Sequence, residues 1–225
     1  SEHLANRYPL ERMLFRTPGF YEKNNIQTIL GLKVAELNVD NHTINLEDGR
    51  TIIWDKLLLA TGGLPIVSKI EGIELKGVFT FTTIDDAKAI DQFLSQYHGN
   101  IRSVVIGGGL IGVSVTEALV KRGVDVTIVE MKERILNTIL DEEASALEET
   151  SLKESGVQII TGHTVSKVSS YLPGEATGAT LDDGQPIPCE MVIVAIGVQP
   201  RTELVSNTGI KINRGIIVDR HMQTS

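Results

Sequence analysis

Three glycines near the middle of the chain have the type and spacing of a phosphate-binding loop. Gly107, Gly109 and Gly112 follow the apolar stretch Val104–Ile106 as a G-x-G-x-x-G pattern. By itself this pattern is weak, because glycine-rich turns also arise for purely structural reasons. Glu130 strengthens it, since an acid that closes the next apolar run, about 20 residues on, completes a dinucleotide-binding fingerprint.

The residue types in this loop each have a physical reason. Gly107 permits a tight turn, Gly109 lets a pyrophosphate approach the backbone, and Gly112 lets the next helix pack closely on the strand. The free N–H groups at the start of that helix, at Leu110 and Ile111, would meet the phosphate charge together with the helix dipole. The loop therefore predicts a bound dinucleotide; the alternative is a structural glycine turn.

Glu130 also indicates which dinucleotide would bind. Its carboxylate would accept hydrogen bonds from both hydroxyls of the adenine ribose and repel a phosphate at the 2′ position, which favours NAD over NADP. Lys132 and Arg134 follow closely and would soften that repulsion if they turned towards the ribose. The alternative for these two cations is a solvated loop.

The elements that must position this loop alternate between strand and helix. This alternation predicts βαβ units and a parallel sheet, and hence an α/β fold of the Rossmann type. The predicted elements are a helix from Thr83 closed by Gly99, a strand at Ser103–Ile106, a helix after Gly109 closed by Gly123, a strand at Val124–Glu130, a helix from Asp141 to Gly156, and a strand at Val157–Ile160.

The first third of the chain predicts shorter elements. They are a helix start at Thr17-Pro18, with Thr17 as its cap, short strands at Ile26–Leu30 and Lys33–Val39, a hairpin of Thr43–Glu47 and Arg50–Trp54 around Asp48-Gly49, and a buried strand at Lys56–Ala60. The Asp-Gly turn is a strong hairpin signal, and the short apolar run is typical of a strand buried on both faces.

An internal repeat links the two halves. Five residues recur at one constant offset: Asp48, Gly49, Ala60, Gly62 and Pro65 match Asp183, Gly184, Ala195, Gly197 and Pro200. In both copies a hairpin turn leads into a short apolar run that ends in Ala-x-Gly-x-x-Pro. Such hairpins are common, so chance is the alternative, but five matches favour a duplication and two similar nucleotide-binding domains. At the same offset the first copy's own glycine loop would lie before Ser1.

Together these motifs resemble the pyridine nucleotide–disulfide oxidoreductase superfamily, most closely its NADH oxidase, rubredoxin/ferredoxin reductase and nitrite reductase flavin-domain branch. The resemblance covers nearly the whole chain, in family order. The residues that carry it are Leu59–Pro65, the Gly107–Gly112 loop with Glu130, Ala195–Pro200, and Gly215–Asp219 running to Thr224-Ser225.

The resemblance implies a role for each segment. Ala60, Thr61 and Gly62 would lie beside FAD, whereas Ala195, Ile196 and Gly197 would border the nicotinamide half of an NAD site. The implied domains are a partial FAD-binding domain at 1–77, a Rossmann domain with a β-meander at 78–200, and a segment at 201–225 that returns to the FAD domain. The family's first glycine loop, its later flavin segment and its interface domain would lie outside these 225 residues, so the chain is expected to be an internal fragment and inactive alone.

Two positions depart from the family pattern. Members often carry Glu two residues after the last loop glycine, near the nicotinamide, and a small Ala two residues further on. This chain has Ser114 and Thr116 there. These positions concern how the nicotinamide is placed and how tightly the helix packs.

Composition excludes several classes of function. The net charge of -8 argues against nucleic acid or an anionic membrane as the main partner. The single cysteine, Cys189, permits no internal disulfide or Cys-rich metal site, and a cytoplasmic location fits best. No apolar run approaches the length of a membrane helix. Five scattered histidines predict no metal site: His3, His42, His98, His163 and His221.

The predicted function is that of an FAD-dependent NADH oxidoreductase. Hydride would pass from NADH to the flavin and electrons would then pass to an acceptor that these residues do not identify. The hydride step needs no acid–base residue of its own, and no catalytic residue is assigned. The alternative is a non-catalytic NAD(H)-binding module that senses redox state. A homodimer is left open.

Overall fold

The computed structural model describes residues 2, 4–5, 12, 14–67, 70–97, 99–171 and 174–225. The chain divides into two compact units, the first made of residues 1–13 and 65–197 and the second of residues 14–64 and 198–225. The sequence-based boundaries at 77/78 and 200/201 remain a prediction about functional domains.

Helices and strands alternate between residues 78 and 161, and most of the other elements are strands. In order they are α1 (Phe20–Lys23), β1 (Val34–Asn38), β2 (Thr43–Leu46), β3 (Thr51–Ile53), β4 (Gly63–Pro65), β5 (Val78–Thr80), α2 (Ile84–Gln96), β6 (Arg102–Ile106), α3 (Leu110–Val120), β7 (Asp125–Glu130), α4 (Glu142–Glu154), β8 (Gln158–Thr161), β9 (Val165–Ser169), β10 (Gly178–Leu181), β11 (Pro186–Pro188), β12 (Met191–Val194) and β13 (Val198–Pro200).

The first unit is built on a five-stranded parallel sheet. Its strand order is β5-β12-β6-β7-β8, and each neighbouring pair is parallel. β6, which leads into the glycine loop, therefore lies at the centre of the sheet. A second sheet in this unit is an antiparallel meander of order β11-β10-β9. These sheets confirm the predicted α/β class, with a parallel sheet and a β-meander.

Both faces of the parallel sheet are buried, and alternate strand residues belong to different cores. Val105 and Ile193 pack with helix residues such as Leu119. Val104 and Val192, their chain neighbours, pack in a second cluster with side chains of the meander. Successive side chains of a strand point to opposite faces, so a sheet covered on both sides reads as an uninterrupted apolar run.

Local signals set the helix ends in this unit. The Thr83 side chain accepts a hydrogen bond from the Asp86 amide, and the Asp86 side chain bonds back to the Thr83 amide, a capping box at the start of α2. Asp141 caps α4 through the Ala144 amide. Gly123 follows α3 with a positive φ of 75°, as a C-terminal glycine should. At α2, however, the C-cap is Tyr97 and not the predicted Gly99.

The second unit contains smaller sheets. β1, β2 and β3 form an antiparallel sheet, with Gly49 in the predicted turn at a φ of 85°. β4 and β13 form a two-stranded ribbon.

Three predictions for this unit were wrong. Residues 26–30 and 56–60 form no strand, and Leu30 and Leu58 are each 85% exposed. Neither segment pairs with a strand among the described residues, and an extended segment without a partner has no ladder of hydrogen bonds. The first helix begins at Phe20 with Gly19 as its N-cap. The Thr17 carbonyl instead accepts a hydrogen bond from the Phe20 amide, in the turn before the helix.

None of the helices within the described ranges has the length and apolar character needed to cross a membrane.

Candidate functional site

The glycine loop lies at the carboxyl ends of the central strands. It connects β6 to α3, and the Gly107 amide donates a hydrogen bond to the Val129 carbonyl of β7 at 2.8 Å. On the other side of β6, the Ala195 amide, directly after β12, donates to the Ile106 carbonyl at 2.8 Å. The crevice at this edge of an open parallel sheet is where such folds bind ligands.

Two of the three fingerprint glycines are required by packing. Gly107 has a φ of 103°, and a Cβ there would lie 2.5 Å from the Ala195 carbonyl oxygen. A Cβ at Gly112 would overlap the Gly107 carbonyl oxygen. These positions therefore need glycine whether or not a ligand binds.

Gly109 differs from both. Its φ of -77° and ψ of -175° suit any residue, and a Cβ there would meet nothing within 4 Å. The structure therefore gives no packing reason for glycine here, and it leaves open space above the backbone. This open space would let a bound group come close to the main chain.

Gly108 is a loop residue that the sequence reasoning missed. A Cβ there would lie 2.7 Å from Cγ2 of Ile135 and 3.2 Å from Cβ of Glu130. Its carbonyl accepts a hydrogen bond from the Leu136 amide at 2.8 Å. The only sequence signal was a third consecutive glycine, which the fingerprint does not specify.

The start of α3 is suited to an anion. Gly109 is the N-cap, and no side chain caps this end of the helix. The first N–H groups of a helix have no partner inside it and carry the positive end of the helix dipole. Leu110 is 67% exposed and Ile111 is half-buried. The first turn is therefore accessible to a phosphate.

Glu130 joins the glycine loop to the end of β7. Its Oε2 accepts a hydrogen bond from the Gly108 amide at 2.6 Å, and its Oε1 accepts one from the Lys132 amide at 2.8 Å. The residue is only 9% exposed. A carboxylate offers about four acceptor positions, so both oxygens retain capacity for ribose hydroxyls.

The two cations after Glu130 differ in their surroundings. Lys132 is exposed. Arg134 is partly buried, and its Nη2 donates to the Leu140 carbonyl at 3.1 Å. Arg134 is thus engaged by its own loop, and Lys132 is the cation of the pair that faces solvent.

The segment after β12 lies beside the glycine loop. The Ala195 carbonyl is next to Gly107, as the close approach described above shows. Ile196 packs at the margin of the core that the sheet shares with the meander. Gly197 has a φ of 130°, and its carbonyl accepts a hydrogen bond from the Ile66 amide at 2.9 Å.

The two departures from the family pattern lie on α3. Ser114 is half-buried. Thr116 is fully buried, and its Oγ1 has no hydrogen-bond partner among the described residues. Ser103, on β6, is also buried, and its hydroxyl has no hydrogen-bond partner among the described residues.

The segment Ala60–Gly62, which the resemblance assigns to the FAD side, belongs to the second unit. Ala60, Thr61 and Gly62 are exposed. The Thr61 hydroxyl donates to the Arg201 carbonyl at 3.1 Å, and the Arg201 amide donates to the Gly62 carbonyl at 3.0 Å. A Cβ at Gly62 would meet nothing within 4 Å, so this loop also leaves room beside its backbone.

The remaining candidates have other surroundings. Cys189 is buried, and burial raises the pKa of its thiol to about 12, so it stays protonated and unreactive. His42 stacks on Trp54, with ring centroids 4.4 Å apart. His163 lies beside Asp182 and Asp183, a group that its sequence spacing did not indicate. His3 and His98 lie outside the described residues.

Comparison with known proteins identifies the family of this chain. The family model described as pyridine nucleotide-disulphide oxidoreductase matches residues 4–225. The chain is 35% identical to putidaredoxin reductase of Pseudomonas putida, over 99% of this chain and 53% of that protein. It is 32% identical to the epsilon subunit of NADH-dependent phenylglyoxylate dehydrogenase of Aromatoleum evansii, over 96% of this chain and 50% of the relative.

The fold is also shared with solved structures. The covalent putidaredoxin reductase–putidaredoxin complex superposes with a TM-score of 0.90 at 34% identity, covering 100% of this chain and 54% of the other. The chain spans about half the length of the curated relatives it matches. It belongs to the pyridine nucleotide-disulphide oxidoreductase family.

Proposed function

We propose that this chain forms the NADH-binding site, and part of the FAD-binding region, of a flavoprotein NADH oxidoreductase. One arrangement carries the proposal: the uncapped start of α3, the open space at Gly109 and the carboxylate of Glu130 meet at one edge of the parallel sheet. The names of the relatives, among them a reductase and an NADH-dependent dehydrogenase subunit, support the same activity.

The chain's residues bind and orient the cofactors. When bound, NADH supplies a hydride to FAD, which passes electrons on to an acceptor. The first N–H groups of α3, at Leu110 and Ile111, hold the pyrophosphate, and Glu130 accepts hydrogen bonds from the adenine ribose. Ala195–Gly197, at the end of the neighbouring strand, border the nicotinamide half. None of these binding roles requires a side chain that takes up a proton.

The flavin side is proposed on the same principle. Residues 78–200 are the NAD-binding domain, and residues 1–77 with 201–225 belong to the FAD-binding domain. Ala60–Gly62 would lie beside FAD, as the family resemblance implies, and the exposed backbone at Gly62 leaves room for a ligand there.

Glu130 makes NADH the preferred nucleotide. Its carboxylate is fixed by two backbone amides, so it cannot readily turn away from a phosphate on the ribose 2′ hydroxyl. We expect Glu130→Gln to weaken NADH binding by about tenfold or more, since a hydrogen bond to a charged group contributes roughly 1.5–3 kcal/mol. NADPH binding should weaken less, and titration calorimetry with both nucleotides measures the difference.

The direct test of the site is Gly109→Val. The backbone there accepts a branched residue, but its side chain would fill the space next to the start of α3. We expect NADH affinity to fall by about two orders of magnitude or more, because the pyrophosphate would lose its approach to the backbone. Circular dichroism should show an intact fold.

Gly19→Val is the matched control. Gly19 also has a negative φ of -80°, and a Cβ there would meet nothing within 4 Å. It caps α1 in the second unit, and its replacement should leave NADH binding unchanged. Normal NADH affinity in folded Gly109→Val protein would refute the proposed site.

Activity itself is tested on the full-length protein that contains these residues. Anaerobic addition of NADH should bleach the flavin absorbance near 450 nm in wild-type protein, and much more slowly in Gly109→Val. A full-length protein that binds NADH while its flavin stays oxidised, or that holds no flavin, would favour the non-catalytic redox-sensing module instead.

A further inference from the structure

The turn after β8 is fastened to the end of β7. In the parallel pairing, Thr161 of β8 lies opposite Glu130. Beyond that pair, the Gly162 amide donates to the Lys132 carbonyl at 3.0 Å, and the His163 amide donates to the Glu130 carbonyl at 3.2 Å. His163 is therefore bonded directly to the residue that we assign to the adenine ribose.

Two further carboxylates reach this edge from the meander. Asp182 and Asp183 form the turn between β10 and β11. Asp182 Oδ1 lies 2.9 Å from His163 Nδ1, and Asp183 Oδ2 lies 3.9 Å from the same nitrogen. The Asp182 amide donates to the Thr164 carbonyl at 2.9 Å, which fixes the turn to the start of the meander.

The Asp182 carboxylate is stabilised in its charged form. The hydrogen bond from His163 is the main cause that lowers the pKa of Asp182 below its usual value. Asp182 and Asp183 are both exposed to solvent. The His163 bond holds Asp182 in place, which makes His163 a positioning residue.

Two cations follow Glu130 in the chain. Arg134 is bonded to the Leu140 carbonyl within its own loop, which leaves Lys132 as the solvent-facing cation after Glu130. A phosphate on the ribose would bring about 1.5–2 further negative charges to this edge. The diphosphate of either nucleotide is instead met by the start of α3.

We propose that Asp182 and Asp183 are specificity determinants that disfavour a phosphorylated adenine ribose, and so reinforce the selection of NADH against NADPH. The inference rests on the proposed function, because it takes the adenosine half to lie at Glu130. It differs from the role of Glu130 in mechanism. Glu130 binds the ribose directly, whereas the aspartates act on the 2′-phosphate through charge alone.

The double variant Asp182→Asn/Asp183→Asn tests this difference. Each asparagine keeps the shape and the oxygen that accepts a hydrogen bond, and removes one charge. We expect NADPH to bind about three- to tenfold more tightly in a buffer of low ionic strength, the range expected for partly screened charges. NADH affinity should change by less than about twofold, and the NADPH effect should shrink as salt is added.

Glu175→Gln is the control for net charge. Glu175 is an exposed carboxylate in the connection between β9 and β10, so it lies at the opposite end of β10 from Asp182 and Asp183. It pairs with Lys76 at 2.9 Å. Its replacement should change the affinity for neither nucleotide. The single variant Asp183→Asn keeps the contact between His163 and Asp182, and we expect it to tighten NADPH binding by a smaller factor than the double variant does.

The other outcomes overturn the inference. Equal tightening of both nucleotides would mean that the aspartates act on the shared diphosphate or on net charge. Unchanged NADPH affinity in folded protein would mean that His163, Asp182 and Asp183 are an ordinary surface group. A wild-type protein that binds neither nucleotide would refute the proposed function itself, and this inference with it.

Discussion

Residues 48–65 and residues 183–200 carry the same pattern, an Asp-Gly turn, an apolar run and an Ala-x-Gly-x-x-Pro segment. In the later copy the apolar run is β12, which is buried throughout and pairs with β5 on one side and β6 on the other. In the earlier copy residues 57–59 form no strand, and Leu58 is 85% exposed. The hairpin forms in both copies. A turn is therefore specified locally, whereas a buried strand also needs neighbours.

The largest expected effect comes from the matched pair Ile193 and Leu58, which occupy the same position in the two copies. Ile193 is fully buried in the core on the helix side of the sheet. Ile193→Ala should lower the free energy of unfolding by about 2–5 kcal/mol, through lost burial and the cavity left behind. Leu58→Ala should change it by less than about 0.5 kcal/mol. Urea denaturation of both variants measures the contrast.

Equal losses for the two variants would break this comparison, since they would show that Leu58 is buried in the protein in solution. The m-value serves as a control: it should be the same in both variants, so that the shift in midpoint reports stability alone.

The same contrast explains how much the sequence could predict. Strands flanked by partners, such as Ser103–Ile106 and Val124–Glu130, were predicted to within a residue, because their apolar runs and the adjacent glycines agree with the fold around them. The fingerprint residues Gly107, Gly109, Gly112 and Glu130 lie at one edge of the sheet, and their part in binding stays a prediction. Local pattern and tertiary partner point the same way in these cases.

The missed features depend on side-chain contacts that no sequence motif encodes. Arg134 is engaged by a carbonyl of its own loop, and His163 meets Asp182 from a hairpin that comes later in the chain. Neither contact leaves a periodicity or a motif. Residues 56–60 likewise pair with no strand among the described residues. The residues of a segment do not encode whether a partner strand lies beside it.

The glycine loop offers a second contrast, now within the first unit. Gly112→Ala would drive a Cβ into the Gly107 carbonyl oxygen, and we expect it to destabilise the protein by about 1–3 kcal/mol, as overpacking does. Gly109→Ala points into open space and should leave stability nearly unchanged while it weakens NADH binding. Thermal unfolding without nucleotide, followed by calorimetric titration, separates the two effects. A Gly112→Ala protein as stable as the wild type would show that the loop relaxes.

Helix capping sharpens the comparison between the units further. α1, in the second unit, has no side-chain cap, whereas the Thr83 side chain accepts a hydrogen bond from the Asp86 amide at the start of α2. Thr83→Ala should lower the free energy of unfolding by about 0.5–2 kcal/mol. Thr17→Ala, at the position predicted to cap α1, should have no comparable effect, because its side chain caps nothing there.

Asp86 makes this cap sensitive to acid. Partial burial raises the pKa of its carboxyl, but hydrogen bonds from the Thr82 and Thr83 amides outweigh burial and leave the pKa below its usual 3.8. A carboxyl with a lowered folded-state pKa adds stability above its ordinary pKa and loses it as the pH falls through the folded value. Asp86→Asn should therefore flatten the fall in stability below about pH 4. If the free energy of unfolding of Asp86→Asn fell with decreasing pH as steeply as that of the wild type, this prediction would be contradicted.

The smallest expected effect is a gain in stability at Thr116. Its side chain is fully buried in α3, and its hydroxyl has no partner among the described residues, so folding removes that hydroxyl from water without replacing its hydrogen bonds. Thr116→Val keeps the branched shape and has a similar helix propensity, and it should raise the free energy of unfolding by about 1 kcal/mol. Thr150→Val is the control, because the Thr150 hydroxyl donates to the Ala146 carbonyl at 2.8 Å on the exposed side of α4. That variant should gain nothing. A loss of stability in Thr116→Val, measured by urea denaturation, would mean that a buried water satisfies the hydroxyl and that this family departure is part of a polar network in the helix–sheet interface.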